Sequence, residues 1–170
     1  MTSFVALLRA VNVGGRQLRM AELKRLAEEL GLGAPRTFIA SGNLLFESGE
    51  KERALKGKLE RALTAHMGKR VEVVIRTASE MTNVAKSNPF ADAPGNRVAA
   101  IFLDEPPDKD ALETATGVAD ERLALGTREI YVHYPSGMGR SKLKIPAAAS
   151  GTARNMNTVA KLAELAKEKA

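Results

Sequence analysis

The stretch "ALLRAVNVGGRQ", Ala6 to Gln17, decides how the chain begins to fold. Phe4 to Leu8 is apolar at every position, the pattern of a strand covered on both faces. Arg9 stands at the far end of that run, which then breaks into Asn12-Val13-Gly14-Gly15-Arg16. A guanidinium beside a buried strand is costly unless something pairs with it, so Arg9 needs either an acidic neighbour or a ligand. Its stem can lie along the apolar packing while its head emerges at the strand end. The paired glycines permit positive φ and let backbone N–H groups approach an anion. Such a turn is more often only a turn.

Working outward, Met20, Leu23, Leu26, Ala27 and Leu30 recur at helical spacing, and Gly31 is a natural stop. "RTFIA" and "NLLFE" read as two strands around a Ser41-Gly42 turn. Leu55, Leu59, Ala62, Leu63 and His66 share one face of a helix ending at Gly68, and "VEVVIR" is another strand. This gives β-α-β-β-α-β. A helix from Ala78 to Lys86 and the Pro- and Gly-containing "SNPFADAPGN" lead to a second half. There "VAAIFLD" precedes a helix around Lys109 to Thr116, the strands "ERLALG" and "EIYVHYP", and a helix from Asn155 to Glu168. Met156, Val159, Ala160, Ala163 and Ala166 form the last helix's stripe.

The expected fold class is therefore α+β: duplicated ferredoxin-like (split βαβ) units, mainly antiparallel sheets with helices packed on them. Residues 1–170 form one expected compact unit. Its pseudo-repeat halves are 1–76 and 98–170, joined by a helix-and-loop connector over 77–97. The second half lacks a clear last strand.

Composition bounds the role. The 170 residues are 44% hydrophobic with 7 prolines, as in a folded globule. There is no cysteine, which removes thiol chemistry and fits a reducing compartment. "MTSFVALLRAV" has no basic segment ahead of its apolar run, so the expected location is cytoplasmic and no membrane contact is implied. Net charge is +6, unevenly spread: residues 98–134 carry 3 basic and 8 acidic groups, and the flanking segments are both basic. This allows anionic partners, although neighbouring segments can equally neutralise one another.

His66 and His133 are the only histidines and no metal-ligand spacing surrounds them, so no metal or other cofactor is implied. His66 reads as a packing residue and His133 as a strand residue. No G-x-S-x-G elbow surrounds Ser41 or Ser136. Asp104 and Glu105 are adjacent and point apart, so they need not form an acid/base pair. Whether the chain is an enzyme stays open, because no nucleophile or general base stands out. Phe4, Phe38, Phe46 and Phe102 all fall in apolar runs, which disfavours base stacking and hence RNA recognition. A weak electrostatic contact with nucleic acid survives.

Two C-terminal stretches add polar candidates. "GRSK", Gly139 to Lys142, combines backbone freedom, two cations and a hydroxyl. "TARNMNT", Thr152 to Thr158, puts Arg154, Asn155, Asn157 and Thr158 at the expected start of the last helix. A helix start suits an anion, or those residues are ordinary caps. Taken with "ALLRAVNVGG" and "TFIASGNLLF", these stretches closely resemble the bacterial domain of unknown function 1697 family, from Ala6 to about Leu165. The resemblance implies two ferredoxin-like halves and brings no established activity, substrate or cofactor. Matched by motif are Arg9, Asn12, Gly14 and Gly15; Ser41, Gly42 and Asn43; Gly139, Arg140, Ser141 and Lys142; and Arg154, Asn155, Asn157 and Thr158. Ala10 stands where the family pattern has glycine. Met156 stands where it has tryptophan, which makes that position packing rather than a stacking platform. The 143–151 connection is short.

The leading expectation is a protein that binds a small phosphate- or carboxylate-bearing ligand in a basic polar pocket. Arg9, Arg140, Lys142 and Arg154 supply charge, Gly14 and Gly15 backbone donors, and Asn43 and Asn155 orientation. Asn12, Ser41, Ser141, Asn157 and Thr158 complete the candidate ligand-binding set. The alternative is a structural or protein-interaction module in which these residues lock turns and caps. Oligomeric state is not legible.

Overall fold

The computed structural model describes residues 1–9, 18–38 and 42–168. Among them the chain is mixed α+β, with two antiparallel four-stranded sheets and four α-helices. It divides into two compact units, Met1–Met81 with Leu162–Ala170, and Thr82–Lys161.

The first unit runs β1 (Thr2–Leu8), α1 (Met20–Glu29), β2 (Gly33–Phe38), β3 (Asn43–Ser48), α2 (Glu52–Met67) and β4 (Val73–Thr77). Its sheet is ordered β2-β3-β1-β4, and every pairing is antiparallel. Alternate strand residues Phe4, Ala6, Leu8, Leu44, Phe46, Val73 and Ile75 meet Leu23 and Ala27 of α1 and Leu55, Leu59, Leu63 and Met67 of α2 in one core. Period two on the strands meets period 3.6 on the helices there. The opposite sheet face is buried too, through Val5, Leu7, Leu45 and Val74. That is what the uninterrupted apolar run implied.

Gly68, at φ 72°, ends α2 with its N–H on the Thr64 carbonyl. The side chains of α2 then secure the segment entering β4. Thr64 Oγ1 accepts from the Val71 N–H at 3.1 Å, and Glu60 Oε2 accepts from the Val73 N–H at 2.9 Å. Lys56 Nζ donates to both Glu60 and the Val73 carbonyl, at 2.8 and 2.6 Å. β4 is an edge strand, so these bonds occupy backbone groups that would otherwise be left open.

The second unit uses the end of α3 (Ala78–Lys86), β5 (Val98–Phe102), β6 (Arg122–Leu125), β7 (Glu129–His133), β8 (Thr152–Asn155) and the start of α4 (Met156–Glu168). Its sheet is ordered β6-β7-β5-β8, again antiparallel throughout. Two expected features differ. No helix forms around Lys109 to Thr116. The bonds there are short turns, Ala111 N–H to Asp108, Glu113 N–H to Asp110 and Ala115 N–H to Leu112, each spanning three residues. Thr116 exchanges both backbone bonds with Lys144 at 2.9 Å, which draws the chain out as an isolated bridge. Leu112 and Ala115 still reach the core of Leu103, Ile130, Val132 and Ile145.

The second difference is the last strand. Residues 152–155 are not the opening of α4 but β8, paired with β5. Thr152 and Arg154 are buried, whereas Ala153 is exposed. α4 starts at Met156, itself buried.

Helix ends are satisfied from the sheets. Tyr131 Oη donates to the Val84 carbonyl in the last turn of α3, at 2.8 Å. Arg36 Nη2 donates to the Leu165 carbonyl near the end of α4, at 2.6 Å. Both carbonyls belong to the four that a helix leaves without an internal partner. Burial, and secondarily the Glu129 charge, push the Tyr131 phenol up to about 12, so it stays a donor at neutral pH. Tyr131→Phe keeps the ring and removes only this bond. Urea denaturation is expected to show a loss of about 1 kcal/mol with unchanged m-value.

Candidate functional site

Arg9 follows β1, and its backbone N–H donates to the Glu72 carbonyl at 3.0 Å. Its guanidinium lies 3.6 Å from Glu72 Oε2, while Arg70 Nε lies 3.6 Å from the other oxygen of that carboxylate. The Arg9 and Glu72 side chains are 38% and 35% exposed. The sequence posed a choice between an acidic neighbour and a ligand, and an acidic neighbour is present. Pairs this exposed are worth at most about 1 kcal/mol. Asn12, Gly14, Gly15 and Ser41 lie outside the described residues.

Asn43 is fully buried in β3, with Nδ2 donating to the Phe38 carbonyl at 3.0 Å across the hairpin. Phe4, Phe46 and Phe102 are buried, and the first two stack at 5.6 Å between centroids. These rings are packed away from any surface where a base could stack.

The fourth block follows the strand-to-helix transition. Arg154 is buried in β8, its Nη1 donating to the Ala153 carbonyl at 2.9 Å. Desolvation lowers its pKa to about 10, so the guanidinium remains charged at neutral pH. Asn155 Oδ1 accepts from the Thr158 N–H at 2.9 Å, an N-terminal cap of α4. Asn157 lies against Gly95.

The third block builds a cleft. Arg140, Ser141 and Lys142 line a hollow of about 520 Å³ with Gly117, Ala119, Asp120, Glu121, Ser136 and Gly137. The Thr116–Lys144 bridge brings the two sides together. Gly117 permits the close approach: it stands at φ 72°, and a Cβ there would collide with the Lys142 carbonyl. Arg154 through Thr158 do not line this cleft, which lies wholly within the second unit.

The cleft holds both signs of charge. Ser141 Oγ donates to Glu121 Oε2 at 2.6 Å, and Ser136 Oγ donates to Asp120 Oδ2 at 2.5 Å. Ser141 Oγ also accepts from the Leu143 N–H at 3.1 Å, and Glu121 Oε1 accepts from the Ala119 N–H at 2.7 Å. The Ser141 hydroxyl, and next the Ala119 N–H, hold the Glu121 carboxyl below the usual glutamate value. Arg140 and Lys142 form no side-chain ion pair or hydrogen bond among the described residues.

Comparison with known proteins follows the same outline. The family model described as "Protein of unknown function (DUF1697)" matches residues 1–131. The chain belongs to the DUF1697 family. Its fold is similar to that of the conserved bacterial protein SP0830 from Streptococcus pneumoniae, with a TM-score of 0.82 and 27% identity over 98% of this chain and 99% of the other. None of the curated proteins matches. Among the described residues no group of three metal-ligating side chains gathers, and no helix is long and apolar enough to cross a membrane.

In this DUF1697 chain, the motif reading missed Gly117, Asp120 and Glu121 and set Ser136 aside. The available signal was "GVADER", a glycine followed by two carboxylates. It has no periodicity, and its meaning depends on the Ser136–Lys142 loop across from it. Ser141→Ala is expected to raise the Glu121 carboxyl pKa toward the ordinary value, read by carbon-13 NMR titration of its side-chain carboxyl. Since the bond lowers the folded-state pKa, its contribution to stability is present above the unfolded value and fades as pH falls through the folded one.

Proposed function

We propose that this chain is a cytoplasmic binding protein for a small phosphate- or carboxylate-bearing molecule, held at the Gly117–Lys142 cleft. The observation that carries the reading is the state of its two cations. Asp120 and Glu121 are engaged by Ser136 and Ser141, and Arg140 and Lys142 have no ion partner among the described residues. Donors of this kind, set in a hollow within the usual size range of ligand pockets, suit an anion. We also propose that each unit is a ferredoxin-like repeat. In support, both sheets place their strands in the same order, second-third-first-fourth, and pair them antiparallel.

A second reading fits the remaining motifs. The Arg9–Glu72 pair, the Asn43 bond across its hairpin and the Asn155 cap on α4 are local locks, as a structural module would use. We assign them that role and keep ligand contact for the cleft.

The test is a thermal-shift screen of phosphorylated and carboxylated metabolites on the whole chain. A ligand at 100 times its dissociation constant is expected to stabilise by about 2.7 kcal/mol. Arg140→Ala and Lys142→Ala should each abolish most of that shift, whereas Arg9→Ala should leave it intact. A screen without a hit at saturating concentrations removes the binding reading and leaves the structural one.

A further inference from the structure

The cleft poses an electrostatic problem that anion binding alone does not solve. Two cations and two carboxylates line one hollow of about 520 Å³, yet no ion pair closes across it among the described residues. Here both carboxylates are turned to serine hydroxyls, Asp120 to Ser136 and Glu121 to Ser141. The groups that hold the Glu121 carboxyl down are a hydroxyl and backbone N–H donors, and no cation contributes. Both signs of charge therefore line a single cleft without pairing across it among the described residues.

We infer that the cleft selects ligands that carry both charges: a phosphate or carboxylate for Arg140 and Lys142, and an ammonium group for Asp120 and Glu121. The inference rests on the anion-binding reading above and narrows it to a zwitterionic class. A carboxylate offers about four acceptor positions, so the serine bond to Asp120, and the serine and Ala119 N–H bonds to Glu121, leave room for further donors. A ligand bearing only negative charge meets the two carboxylates unfavourably, whereas an ammonium group turns the same pair into a partner. The serines then orient the acids toward the ligand and keep them from collapsing onto the cations.

The experiment compares two probes that differ by one group, O-phosphoethanolamine and ethyl phosphate. Each is titrated into the whole nitrogen-15-labelled chain near neutral pH, and dissociation constants are read from chemical shifts. O-phosphoethanolamine is expected to bind at least about tenfold more tightly, with shifts centred on residues 117–121 and 136–142. Asp120→Asn and Glu121→Gln should each shrink that preference severalfold, read as the ratio of the two dissociation constants. Both are near-isosteric, and the same spectra report whether each variant is folded. If either variant fails to fold, the other carries the comparison. Equal affinity for the two probes, or a preference unchanged in the folded variants, overturns the inference and leaves the anion site standing. Absence of binding by both probes at saturating concentration overturns the anion site and the inference together.

Discussion

A strand buried on both faces admits polar chemistry at its ends and almost nowhere else, and β1 imposes that constraint on the first unit. Thr2–Leu8 sits between β3 and β4, with one set of side chains against α1 and α2 and the other set buried as well. Arg9 is where the run first meets water, and the chain places Glu72, at the entry to β4, directly beside it. The register that fixes the core also fixes this pair. Leu8 lies opposite Val73 and the Arg9 N–H bonds the Glu72 carbonyl, so the two side chains emerge together. A one-residue slip of β1 would exchange the residues it turns toward α1 and α2 for those on its other face, and would part Arg9 from Glu72.

The polar groups that do enter the sheets follow a common rule. Arg76 pairs in register with Val5 on the first central strand, and Arg154 pairs with Ala100 on the second. Both are buried guanidiniums on the fourth strand of their sheet, each donating to the carbonyl of its preceding residue. Asn43 in the first unit, and Glu129 and Tyr131 in the second, join them on the face away from the Ala6–Leu59 and Ile130–Val132 cores. The two sheets thus match both in strand order and in carrying a buried guanidinium on the fourth strand.

Legibility tracked periodicity. The short apolar runs of β1, β3, β5 and β7 and the helical stripes of α1, α2 and α4 could be read directly, because burial covers the strands nearly throughout and repeats every three to four residues on the helices. β8 could not. Only Thr152 and Arg154 face inward in "TARN", and a polar strand of four residues looks like a helix cap until its pairing with β5 is known. The 109–116 segment failed in the opposite direction: Leu112 and Ala115 fit a helix, but the Thr116–Lys144 bridge claims the backbone first. The cleft was half legible. "GRSK" stood out as a motif, whereas Asp120 and Glu121 gained meaning only when a bridge between distant loops set them against Ser136 and Ser141.

What separates a lock from a site is who satisfies the charge. At the end of β1, Glu72 stands between Arg9 and Arg70, 3.6 Å from each, so the cations there have an ion partner within the fold. In the second unit the same ingredients are arranged to the opposite effect. Serine hydroxyls engage the carboxylates, and the nearby arginine and lysine are left without an ion partner among the described residues. A neutral hydroxyl is a weaker partner for a carboxylate than a cation is, so proximity alone would favour replacing it. The bridge, the tight Gly117 approach and the Ser141–Leu143 turn set the backbones of the 116–121 and 136–144 loops relative to one another. Under the proposed reading, a ligand that satisfies the unpaired cations would not first have to break an internal ion pair.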